Sequence, residues 1–95
     1  MTDRPAPTYH QRAGVNATPL PGGDLVLLCL TTQRYYTLNG TGRAVWSRLA
    51  EPQTVEDLAR GLTERYAVGA AAARSSTQRL LDDLVREGLV VPTAD

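Results

Sequence analysis

Six apolar residues in a row, Leu25-Val26-Leu27-Leu28-Cys29-Leu30, stand out from an otherwise mixed chain. A run this short and without alternation predicts a central strand, apolar on both faces and covered on both sides. Before it, Pro19-Leu20-Pro21-Gly22-Gly23-Asp24 is a turn by its chemistry: proline fixes φ and glycine accepts positive φ. Residues 12–20 allow a short first strand centred on Val15 and Ala17. After the run, Thr31-Thr32-Gln33 is a hairpin-length link to Arg34-Tyr35-Tyr36-Thr37-Leu38, whose tyrosines and threonine favour extended backbone. The simplest assembly is a three-stranded antiparallel meander with residues 25–30 in the middle and 34–38 on an edge. Alternation sends Tyr36 and Leu38 to one face and Tyr35 and Thr37 to the other. Leu38 leads into the helical part of the chain, which places Tyr36 on the helix side.

From Gly40 onward the apolar period becomes helical. Asn39 and Thr41 are N-cap candidates, and Val45, Trp46 and Leu49 form one stripe that Glu51-Pro52 ends. Thr54-Val55-Glu56-Asp57 reads as a capping box with Asp in place of the usual Glu. Val55, Leu58, Ala59, Leu62 and Tyr66 then recur at helical spacing until Val68-Gly69 breaks the pattern. A third helix spans residues 70–87, with Gly88 as its C′ residue. The fold class predicted is α+β: a three-stranded antiparallel sheet followed by three helices, a winged-helix-like arrangement. The domain is expected over residues 13–92, between a loose N-terminal tail at 1–12 holding Pro5 and Pro7 and a C-terminal tail at 93–95.

The third helix carries two stripes. Ala73, Thr77, Leu80 and Leu84 lie on one face; Arg74, Gln78, Leu81 and Val85 lie about 100° around it. Two readings follow. A wide apolar face can simply pack on the sheet. Alternatively, Leu81 and Val85 wall a groove beside the sheet edge, with Arg74, Gln78 and Asp82 at its rim. The second reading gains from the edge itself, because an unpaired strand offers its backbone to a guest peptide.

Composition narrows the choice of function. The chain has 95 residues, so one domain, and its ten acidic and ten basic residues cancel. That balance lacks the basic footprint of a protein held by phosphates. A winged-helix DNA-binding module is the alternative reading of the same elements. Its recognition helix would set Arg74, Arg79 and Arg86 against Asp82, Asp83 and Glu87, a net charge of zero. Asp82 and Asp83 are consecutive on a helix and diverge too far to form an acid/base pair. His10 stands alone in the tail, and no His, Cys and carboxylate set has metal spacing. The sequence therefore points to no enzyme and no cofactor. Trp46 is expected in the core, and Cys29, the single cysteine, as a buried thiol. No apolar run approaches the ~20 residues of a membrane span, so the cytoplasm is the default compartment.

The order of these features resembles the PqqD-like family, the recognition elements for precursors of ribosomally synthesised and modified peptides. The resemblance rests on residues 24–30 as the apolar strand, Arg34-Tyr35-Tyr36-Thr37-Leu38-Asn39 as the aromatic strand, and Gly42-Arg43-Ala44-Val45-Trp46 entering the first helix. Thr54-Val55-Glu56-Asp57-Leu58 and residues 81–89 complete it. Within the family the chain is most similar to the small leader-binding subunit of the split B protein of lasso peptide biosynthesis. The resemblance implies that a precursor's leader adds as a strand antiparallel to residues 34–38, with side chains entering the cleft against the third helix. It implies peptide contacts from Arg34, Tyr35, Tyr36, Thr37 and Leu38 on one side and from Arg74, Gln78, Leu81, Asp82 and Val85 on the other. The implied partners are the leader peptide, a discrete cysteine-protease leader peptidase and the cyclase; neither nucleic acid nor a membrane is expected, and a homodimer is left open.

Overall fold

The computed structural model describes residues 7–93. Three strands form the expected meander: β2 (Val15–Pro19), β3 (Leu25–Cys29) and β4 (Arg34–Leu38), preceded by β1 (Thr8–Gln11). Helices α1 (Gly40–Arg48), α2 (Val55–Arg65) and α3 (Ala70–Arg86) follow, and β5 (Val90–Thr93) closes the chain. β3 is central, antiparallel to both neighbours, with Leu27 opposite Ala17 on β2 and Tyr36 on β4.

Burial along β3 alternates. Leu25, Leu27 and Cys29 are buried under the helices, while Val26 and Leu28 are half-buried on the opposite face. The expectation of a strand covered on both sides is thus corrected. The helices form one layer only, and Val26 and Leu28 are shielded by cross-strand neighbours: Thr37 and Tyr35 on β4, Thr18 and Asn16 on β2.

Local chemistry sets the helix ends. The Asn39 side chain accepts from the Gly42 amide at 2.9 Å and starts α1 directly after β4, so strand and helix are joined without slack. The Thr54/Asp57 capping box starts α2 with both reciprocal bonds made. α3 ends in a Schellman pair, Leu89 N–H to Leu84 C=O at 2.8 Å and Gly88 N–H to Val85 C=O at 3.0 Å. That geometry needs φ of 75° at position 88, which only glycine adopts cheaply. The core under the sheet is led by Leu27, Val45, Leu49, Leu58, Leu81, Leu84 and Leu89, with Trp46 also buried.

The N-terminal segment departs from expectation. Thr8–Gln11 is not a loose tail: it pairs antiparallel with β5, Tyr9 opposite Pro92 and His10 opposite Val91. Thr93, assigned to a C-terminal tail, ends this second sheet. Tyr9 and Gln53 exchange backbone hydrogen bonds of 2.8 and 2.9 Å, and the Gln11 side chain donates to the Trp46 carbonyl at 2.7 Å. The Gln11 backbone amide also donates to Leu49 C=O at 2.9 Å, so Gln11 serves two carbonyls at the end of α1 while Tyr9 ties β1 to the α1–α2 link. The remainder of the predicted tail, residues 1–6, lies outside the described residues.

Candidate functional site

The backbone of β4 decides what its edge can offer. In an antiparallel strand the N–H and C=O of one residue point to the same neighbour, and successive residues alternate. Leu20 N–H bonds Asp24 C=O at 2.8 Å and Leu30 N–H bonds Gly14 C=O at 3.2 Å. With the register continuous, Val26 and Leu28 also face β2, and Leu25, Leu27 and Cys29 face β4. Their partners Leu38 and Tyr36 therefore spend their amides inside the sheet; at the hairpin end the Arg34 N–H donates to Thr32 Oγ1 at 3.3 Å and the Gln33 N–H to Cys29 C=O at 2.8 Å. Tyr35 and Thr37 direct theirs to the open side, where no described strand pairs with β4.

The side chains of β4 run the other way. Tyr35 is 74% exposed on the outer face, whereas Tyr36 is half-buried against the core and Leu38 is buried. Tyr36 is on the helix side, as the alternation predicts. Beside this edge lies a groove of about 410 Å³. Tyr36, Thr37 and Leu38 form one wall; Ser76, Thr77 and Leu80 of α3 form the other; Val45 and Leu62 contribute from α1 and α2. Further along, Asp83 lies close to Tyr36, and Arg34 pairs with Glu87 at 3.2 Å. Burial pushes the Tyr36 phenol above its usual pKa, and the Asp83 and Glu87 carboxylates push in the same direction.

The α3 residues singled out from the sequence lie elsewhere. Leu81 is fully buried, part of the stripe Ala73, Thr77, Leu81 and Leu84 that seats α3 on the core. Arg74, Gln78 and Asp82 sit on the flank of α3 away from β4, with Tyr9 and the start of α2, around a separate groove of about 710 Å³. Arg74 pairs with Glu56 there, and Gln78 donates to Asp82 at 3.0 Å. Val85 is half-buried on that same side of the helix. The wall facing β4 is instead the stripe Ser76, Leu80, Asp83 and Glu87, spaced at i, i+4, i+7 and i+11. Leu80 was placed with the core stripe by the sequence pattern; its half-exposure beside β4 shows it at the border. The one available signal was the run of partly polar residues spaced to meet Tyr36 and Arg34.

Acidic neighbours engage two of the three arginines of α3. Arg74 is engaged by Glu56 and Arg86 by Asp83, at 3.4 Å in the second pair. A third groove, of about 470 Å³ between α1 and α2, carries Arg43, Arg48 and Arg65 and shares Val45 and Leu62 with the groove beside β4.

The family model described as Coenzyme PQQ synthesis protein D (PqqD) matches residues 24–90. This chain belongs to the PqqD family. The matched span holds β3, β4, all three helices and the groove between β4 and α3. Two solved structures share the PqqD-like fold. One is described as "TbiB1 in Complex with the TbiA(beta) Leader Peptide"; it is 24% identical, with a TM-score of 0.80, covering 90% of this chain and 99% of that one. The other, "Lasso peptide synthetase B1 complexed with the leader peptide", is 26% identical, with a TM-score of 0.77, covering 88% and 98%. No curated protein sequence matches the chain. Outside the matched span fall β1, β2 and most of β5, so the pairing of the two chain ends lies beyond what the PqqD model describes.

Proposed function

We propose that this chain is a non-catalytic adaptor. It captures the leader region of a ribosomally made precursor, of the lasso class, as an added strand on β4. The observation that carries the reading is the open Tyr35 and Thr37 backbone beside a groove walled by Leu80 and Thr77. The two solved neighbours, each described with a leader peptide bound, support the same use of the same fold here. Ladder bonds supply affinity with little demand on sequence, and pockets for alternate side chains supply selectivity.

In this reading the leader runs antiparallel to β4. Leader residues opposite Tyr35 and Thr37 exchange N–H···O bonds with them. Leader residues opposite Leu38, Tyr36 and Arg34 turn their side chains into the groove. Contacts then come from Arg34, Tyr35, Tyr36, Thr37 and Leu38 on the strand, and from Ser76, Thr77, Leu80 and Asp83 on α3. The adaptor presents the captured precursor to a leader peptidase and a cyclase. It works in the cytoplasm, where Cys29 remains a free thiol.

The test is fluorescence anisotropy with a fluorescein-labelled leader of a lasso-class precursor. The expected result is saturable binding in the micromolar range or tighter. Binding must also protect the Tyr35 and Thr37 amides from exchange, leaving Tyr36 protected in both states. A folded chain that binds no leader ends the proposal.

A further inference from the structure

Thr77 is 1% exposed, and its Oγ1 has no hydrogen-bond partner among the described residues. A buried hydroxyl without a partner is costly, and such groups are kept for a reason or satisfied by something that binds. Here the residue lines the groove beside β4. Deep in the groove the walls are Leu38, Val45 and Leu62, with the exposed Asn39, Thr41 and Ser76 at its rim, so Thr77 Oγ1 is a buried polar atom among apolar neighbours.

The direction of the elements fixes which guest residue meets it. Along α3, Asp83 lies by Tyr36 and Glu87 by Arg34, so the helix runs antiparallel to β4 and Thr77 falls at the Leu38 end. A guest strand antiparallel to β4 meets Leu38 first, Tyr36 two residues later and Arg34 four residues later. We propose that Thr77 is a specificity-determining residue: its Oγ1 hydrogen-bonds the side chain of the guest residue opposite Leu38. The site therefore selects an uncharged hydroxyl- or amide-bearing residue there (Ser, Thr, Tyr, Asn or Gln). An ionised side chain is rejected, because a neutral hydroxyl in an apolar pocket does not compensate a buried charge. The inference rests on the strand-addition reading above.

The test is a selection of displayed random 14-residue peptides on the immobilised full chain, run in parallel on Thr77→Val, which keeps the shape and removes the hydroxyl. Enriched peptides are then synthesised and measured by anisotropy. Wild type is expected to enrich the five polar residues at one position. Thr77→Val is expected to replace them with Val, Leu or Ile and to bind the wild-type-selected peptides about tenfold more weakly. The variant should also melt higher than wild type when free, a sign opposite to its binding defect that a purely structural role does not produce. The same preference in both pools, or equal binding of the selected peptides, overturns the assignment while leaving the adaptor reading intact. Failure of either pool to enrich any peptide whose binding Thr37→Pro weakens defeats the adaptor reading, and this inference with it.

Discussion

Thr37→Pro isolates the edge of β4 from everything else the residue does. The Thr37 side chain is exposed on the outer face and its amide points away from β3. Proline there deletes an N–H that the folded chain does not use, and proline on an edge strand is tolerated. Tyr36, before it, is already extended, as the residue preceding proline must be. The fold is therefore expected to survive with a loss of at most about 1 kcal/mol. Leader binding loses one ladder bond and leaves a guest carbonyl facing the proline ring, which costs about 1–3 kcal/mol. Affinity should fall roughly 5- to 150-fold. Tyr36→Pro reverses the pattern: it removes a donor to Leu27 inside the sheet and should unfold or strongly destabilise the chain. Anisotropy with the labelled leader gives the affinities, and urea denaturation gives the stabilities. Thr37→Ala, which retains the amide, is the control. If Thr37→Pro binds the leader as tightly as Thr37→Ala, either the hydrogen-bond parity of β4 or the site of strand addition is wrong.

Four further outcomes follow from named contacts. Leu80→Ala should weaken leader binding by about 1–2 kcal/mol with little loss of stability, because Leu80 is half-exposed at the groove. Leu81→Ala should cost about 2–5 kcal/mol of stability in denaturant, because Leu81 is fully buried. The Tyr36 phenol is raised in the folded state, so its contribution is fully present below the ordinary tyrosine pKa and is lost as pH rises through the higher folded value. Absorbance of phenolate across alkaline pH should show a late-titrating tyrosine that disappears in Tyr36→Phe. Gly88→Ala should cost about 1 kcal/mol in thermal unfolding, since a side chain at that positive φ strains the end of α3.

Local rules carried far into this molecule. The meander was legible because turn chemistry brackets each strand, and the caps at Asn39, Thr54 and Gly88 were legible because capping is settled by side chains within a few residues. Alternation, anchored by Leu38 leading into the helices, placed Tyr36 against the helices and Tyr35 in solvent. Pairing of Thr8–Gln11 with Val90–Thr93 had no comparable signal. The two segments lie at opposite ends of the chain, and both contain or adjoin prolines that argue against strands.

The wall of the groove shows where sequence stops. Around α3 the apolar positions spread symmetrically about the core stripe, with Leu80 on one flank and Val85 on the other. Helical period says which residues share a face; it does not say which flank a neighbouring strand will approach. That is fixed by how α3 settles on α1 and α2, through contacts between residues far apart in the chain. The sequence by itself determined the elements, their caps, the central strand and the edge strand. Only the tertiary structure put Arg74, Gln78 and Asp82 on the far side, turned Ser76, Leu80 and Asp83 toward β4, and left the Thr77 hydroxyl buried without a partner.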